Sequence, residues 1–262
     1  MSHANPAPDI KYLYNVIGKG GKKNLKNEEF NKRKLIHIVR SLAVDDPIQA
    51  QCDQSSVEAY YNHYDIAVDI LKNVLKLTNN QSYIAWEKLL KLYIETADID
   101  AFIATYRLAL KQKFENTQEL DALLEHMVST YLVADSYGDA QLDLKLSEFD
   151  KYSVYERIHQ TQQLGISLPV YRKLMALFYQ EFYAQYNGKT QSFFNYEAQD
   201  LIITVHTAID NAQELFDFNS HLQDRIMEWY AEANEEERQQ IDKVVIYVKH
   251  STFLIKESEF VA

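Results

Sequence analysis

One cysteine, four prolines and six glycines in 262 residues exclude more than they allow. A lone Cys52 makes no internal disulfide and has no second thiol for a zinc site, which is consistent with a reducing compartment. After Ile48 the only proline is Pro169, and glycine is scarce throughout. An all-β chain of this length would need many more turn residues, so helices joined by short turns are expected. No run approaches the 18 or so consecutive apolar residues of a membrane span. The first residues, Met-Ser-His-Ala-Asn-Pro-Ala-Pro, show neither a basic region nor an apolar stretch of a secretion signal. No membrane partner and a cytoplasmic location are the expectations.

Recognisable chemistry is equally sparse. Gly-x-Ser-x-Gly and His-Glu-x-x-His are absent, and Cys52 has acidic Asp53 beside it, which raises a thiol pKa. Gly18-Lys19-Gly20-Gly21-Lys22-Lys23 lacks the order of a phosphate loop, and Gly188-Lys189-Thr190 lacks the earlier glycine. Glu156 and His159 have the spacing of a di-iron half-site, but no second Glu-x-x-His accompanies them. Carboxylate pairs such as Asp45 and Asp46, or Glu235 to Glu237, read as a loop and a helix first turn. A non-enzymatic protein with no catalytic residue, metal or cofactor is therefore expected.

What is present is 47% hydrophobic and 25% charged residues, enough for one large domain or two small ones. The charge is uneven. Residues 1–40 hold nine of the 27 Lys and Arg for a net of +6, leaving −17 on the rest of a chain of net charge −11. The division expected is a basic helical arm over 1–46 and an acidic α-helical body over 47–262. An acidic body repels nucleic acid and favours basic partners.

Periodicity fills in the elements. A short helix over 9–17 ends at Gly18, Gly20 and Gly21, and a second starts near Asn27 and buries Leu35, Ile38, Val39 and Leu42. Residues 43–54, punctuated by Pro47, read as a linker. A long helix follows from Ser55 to Leu77, opened by Ser55 and Glu58 at capping-box spacing, with Ile66, Ile70, Val74 and Leu77 on its buried side. Asn79 and Asn80 then turn the chain into two amphipathic helices, carrying Trp86, Leu89, Leu90 and Tyr93, and Ile99, Phe102, Ile103 and Tyr106. Asn116 to Val133 repeats the pattern. Further helices are expected near 140–149, 153–164, 168–186, 195–211 and 220–233. A last one begins at Asn234 with Glu237 three residues on and buries Ile241, Val244, Val245 and Val248. The fold class expected is all-α.

Trp86, Leu89, Tyr93, Tyr106 and Ala109, followed by a second pattern 34 residues after Ser82, resemble the tetratricopeptide (TPR) repeat. The match covers about one and a half repeats. Leu90 and Phe102 stand where small residues are usual, and Phe114 stands where a proline closes the repeat. A TPR-like solenoid around 55–133 and an irregular helical domain both accommodate these residues. The resemblance implies a protein partner held in a helical groove, with Tyr83, Tyr93 and Tyr106 as candidate contacts. The segment around Lys19, Lys22 and Lys23 offers a second contact surface, for protein or for nucleic acid. An acidic inhibitor that covers the basic surface of a nucleic-acid-handling protein is the alternative.

Overall fold

The computed structural model describes residues 10–18, 20–133, 148–197 and 199–251. Eleven helices and five short strands lie among them: α1 Ile10–Ile17, α2 Glu28–Leu42, α3 Pro47–Tyr60, α4 Tyr64–Leu77, α5 Tyr83–Glu95, α6 Ile99–Leu110, α7 Gln118–Tyr131, α8 Glu148–Gln163, α9 Leu168–Gln185, α10 Ala212–Glu232 and α11 Glu235–Ile241. The strands are β1 Gly21–Lys22, β2 Tyr186–Asn187, β3 Gln191–Glu197, β4 Asp200–Thr207 and β5 Val244–His250. The fold is thus mostly helical with two small sheets, which corrects the all-α expectation. The expected helix at 140–149 falls almost wholly outside the described residues.

Where local signals are strong, the elements follow them. Asn79 and Asn80 both adopt positive φ and make the turn before α5. The Ser82 and Asp98 side chains accept from the amides of Ala85 and Ala101, so both central helices are capped as these residue types favour. Trp86, Leu89, Leu90 and Tyr93 on α5, and Phe102, Tyr106 and Ala109 on α6, are buried together. Leu120, Leu124 and Met127 of α7 join the same core. The positions where a second repeat would continue, Ser136 to Ala140, lie outside the described residues.

Residues 43–54 are not a linker. Asp46 caps α3 by accepting from the Gln49 amide, and Pro47 occupies the first helical turn, where its missing N–H costs nothing. The long helix expected over 55–77 is broken instead at Asn62, which takes φ of 64° between α3 and α4. That break rotates the stripe: Ala67, Leu71, Val74 and Leu75 are buried, while Ile66 and Leu77 face solvent. A second core, built on Leu13, Leu35, Ile38, Val39, Val57 and Tyr61, welds α1 and α2 to α3.

The helix expected over 195–211 is strand, and the last expected helix gives way to strand partway along. From Leu201, residues alternate between core and surface, with Leu201, Ile203, Val205 and Thr207 buried. This is the period of a strand, and the residues are largely β-branched. β3 and β4 form an antiparallel hairpin, and β5 adds parallel to β4, giving the order β3-β4-β5. A parallel pair needs a crossover, which α10 and α11 supply. The capping box of Asn234 and Glu237 forms as its spacing predicts, but α11 ends at Ile241 and Val244–His250 is strand. Ile246 and Val248 are buried from it, whereas Val245 is exposed.

The free edge of β5 is closed by side chains of α10. The Val248 amide donates to Asn219 Oδ1 at 2.7 Å, Asn219 Nδ2 donates back to the Val248 carbonyl, and Gln223 Nε2 donates to the Ile246 carbonyl. These amides occupy the ladder positions that an incoming strand would use. Asn219→Ala should cost about 1–3 kcal/mol, because the Val248 amide loses its acceptor. A urea titration checks the loss, and hydrogen exchange should localise it to Val248.

The N-terminal segment is stitched to the body at the C-terminal end of α9. The last carbonyls of a helix lack internal donors. Here the Tyr183 carbonyl accepts from the Tyr64 hydroxyl, the Ala184 carbonyl from Asn62 Nδ2, and the Gln185 carbonyl from the Lys23 amide. β1 then pairs with β2, bringing the two glycine-containing segments of the sequence together.

Candidate functional site

The six residues that the sequence singled out separate into different environments. Tyr106 is fully buried and donates its hydroxyl to Asp121 at 2.5 Å; Tyr93 is also buried. Both are core residues rather than groove contacts. Tyr83 is half-buried, its ring edge-on to Phe114 at 5.2 Å and its hydroxyl donating to Glu119. Lys19 lies outside the described residues. Lys22 is exposed and reaches Glu214 on α10 at 3.5 Å. Lys23 is buried, not part of a solvated basic patch.

Lys23 leads into a cleft of about 400 Å³, bounded by α3, α5 and the β1–β2 pair. Its ammonium donates to Asn62 Oδ1 at 2.9 Å and to the Ala59 carbonyl at 3.4 Å, near the C-terminal end of α3, where the helix dipole favours a cation. The rings of Tyr60 and Tyr64 each lie 5.8 Å from it. Across the cleft α5 presents Glu87, Lys88, Lys91 and Glu95. Lys91 pairs with Glu87 at 2.5 Å, and Lys88 donates to Ser56 Oγ at 2.7 Å and approaches buried Asp53 at 3.7 Å. Glu95 is half-buried and has no hydrogen-bond or ion-pair partner among the described residues.

Burial sets the acidities here. It pushes the Glu95 carboxyl up to about 7, against the opposing fields of Lys23 and Lys91. Burial likewise brings the Lys23 ammonium down to about 8, with Glu95 resisting. Cys52, buried on α3 rather than exposed in a linker, is pushed up to about 11, mainly by burial. It is therefore a poor nucleophile at neutral pH.

A carboxyl raised above its ordinary value stabilises the fold while protonated. That contribution is complete below the ordinary value of 4.5 and is lost as pH rises through about 7. Lys23 works in the other direction, its contribution being lost as pH falls through about 8. Between about pH 5 and about pH 8 the wild type should lose about 1–3 kcal/mol relative to Glu95→Gln, which cannot ionise. Urea midpoints of the two proteins across that range would show the divergence.

A second surface lies on α10 and α11. Residues 208–242 contain ten Asp and Glu against Arg225 and Arg238. Both cations are committed: Arg225 pairs with Glu228 at 2.5 Å and approaches Glu181, while Arg238 donates to the carbonyls of Tyr230 and Ala231. α10 turns Phe218, Leu222, Ile226 and Trp229 inward. Its opposite side bears Asp217, Asp224 and Glu228 beside Phe216, 66% exposed, and Met227, 57% exposed. Eleven residues separate Phe216 from Met227, three helical turns or about 16 Å on one side of the helix. The sequence shows the acidic balance of the body but not its concentration here, because the helix expected over 220–233 begins eight residues after the true start of α10 at Ala212. The cleft escaped it too, although Glu87, Lys91 and Glu95 recur at four-residue spacing.

Neither surface is a metal centre: among the described residues, no group of three or more His, Cys, Asp or Glu could hold a metal ion. Glu156 and His159 each contact a glutamine one turn on, Gln160 and Gln163. Among the described residues no helix is long and apolar enough to cross a membrane. In comparisons with known proteins, no family model, no curated protein and no solved structure matches this chain.

Proposed function

We propose that this chain is a non-enzymatic interaction protein that docks a basic protein partner on the outer face of α10 and α11. The observation that carries this reading is the pairing of exposed carboxylates, of which Asp217 and Asp224 have no ion-pair partner among the described residues, with exposed apolar side chains on one helix. Carboxylates facing solvent would steer a basic surface into place, and burial of Phe216 and Met227 would supply contact energy. A nucleic-acid-handling protein, whose working surface is basic, is the partner class that this charge fits.

The TPR resemblance of α5 and α6 supports the same broad class, partner binding. Its aromatic positions do not supply the surface, since Tyr93 and Tyr106 are buried. Direct contact with nucleic acid through the N-terminal segment draws less support. Lys23 is enclosed, Lys22 reaches Glu214, and Lys32 pairs with Glu58 at 2.5 Å.

Affinity capture from native lysate tests the reading when wild type is run beside Asp217→Lys/Asp224→Lys/Glu228→Lys, both after nuclease treatment. The expected result is a basic protein held by the wild type and lost from the variant. A partner held equally by both, or released by nuclease, would contradict it.

A further inference from the structure

We propose that the cleft between α3 and α5 binds a small organic acid, its carboxylate bridging Lys23 and Glu95 and its apolar body lying against Tyr60 and Leu92. The site is separate from the acidic face of α10.

The argument begins with what the cleft leaves unsatisfied. Lys23 has three donor protons and two acceptors, Asn62 Oδ1 and the Ala59 carbonyl. Among the described residues Glu95 has no hydrogen-bond or ion-pair partner, Lys23 included, although each feels the other's field. A cation and a carboxyl that face one cavity without touching leave room for a bridging group. The other lining charges are already balanced, Lys91 by Glu87 and Lys88 by Asp53.

With Glu95 protonated, the pair offers two donors and one net positive charge, which fits a monocarboxylate. With Glu95 ionised, the same anion would meet a second carboxylate. Tyr60 and Tyr64 face Lys23 from α3 and α4, and Tyr183 lies near Glu95 from α9. The Tyr64 hydroxyl donates to the Tyr183 carbonyl, and that of Tyr60 accepts from the Asn24 amide. Burial and the Glu95 field hold the Tyr64 and Tyr183 phenols above their ordinary value. Glu95, raised to about 7, and Lys23, lowered to about 8, both line the cavity at the bridging position. A cavity of about 400 Å³ is of the size that takes small molecules.

Titration calorimetry with benzoate on the intact chain tests the proposal. At pH 6 the wild type should bind benzoate, and at pH 8 binding should weaken at least about tenfold as Glu95 ionises and Lys23 begins to lose its proton. In buffers of different ionisation enthalpy near neutrality, the heats should show net proton uptake with each benzoate. Glu95→Gln should bind with a smaller uptake, the part that Lys23 alone supplies. Lys23→Met should abolish binding; where it fails to fold, the Glu95→Gln result stands alone as the test. Absence of benzoate binding by folded wild type at pH 6, proton uptake undiminished in Glu95→Gln, or binding of benzylamine in preference to benzoate would each overturn it.

Discussion

Phe178→Ala is expected to destabilise the fold by about 3–5 kcal/mol, the range for truncating a fully buried aromatic residue. Phe178 lies where the helical layer meets the layer built on the sheet. Its ring stacks on Phe182 at 5.9 Å and meets Phe218 of α10 edge-on at 6.1 Å, while Phe182 in turn stacks on Tyr186 of β2. One contiguous core runs from Trp86 through these rings to Ile203 and Val248. Removing the ring opens a cavity among rigid neighbours that collapse poorly. Equilibrium unfolding in urea measures the loss, and a change below about 1 kcal/mol would show that the two layers do not share this core.

Gly188→Val should cost about 2–4 kcal/mol, through two independent effects. Gly188 takes φ of 121°, a region that side chains rarely adopt, and a Cβ there would lie 3.0 Å from the Cα of Gly20. The close approach is backbone against backbone, so no flexible side chain can yield. Gly21→Ala separates the effects: φ is 130° there too, but nothing lies within 4 Å of the added Cβ, so only the conformational cost remains. The valine variant should also free the chain near Lys22 and Lys23 for tryptic cleavage under native conditions. Equal stability and equal protection in both variants would mean that the β1–β2 pairing does not hold the N-terminal segment in place.

These two sites show how unevenly the structure could be read from the sequence. The central helices were legible because Trp86, Leu89 and Tyr93 carry an unambiguous helical period and Ser82 and Asp98 cap their helices. The start of α3 was legible in principle: Asp46 followed by Pro47 is a helix-opening pair as well as a linker signal, and only tertiary burial decides between them. The β3–β4 hairpin was obscured because the sequence between the paired Glu197 and Asp200 has neither the usual glycine nor asparagine. Alternation from Leu201 to Thr207 was the better guide, but the intervening Ile202 and Thr204 are also apolar or β-branched, which blurs the pattern. At β5 a correct helix cap outweighed a correct strand propensity, because α11 and β5 lie only two residues apart.

The candidate surfaces were less legible for a different reason. Lys23 was visible as a basic residue among others, yet its burial depends on Asn62 and Ala59, nearly 40 residues away. Glu95 ends a strongly apolar helix and carried no local sign that it would lack a partner. The Tyr106 and Tyr93 side chains looked suited to a groove only while nothing specified what packed over them. The charge of α10 and α11, by contrast, was present in the sequence as a count; what the fold adds is that Arg225 and Arg238 are used internally and that Phe216 and Met227 share the exposed side.

The most direct test of the docking face is the affinity of the captured partner for purified wild-type chain, titrated from about 0.05 M to about 0.5 M NaCl. Exposed carboxylates acting on a basic surface predict an affinity that falls at least about tenfold over that range. An affinity that stays constant across it would contradict the acidic face of α10 and α11 as the binding surface.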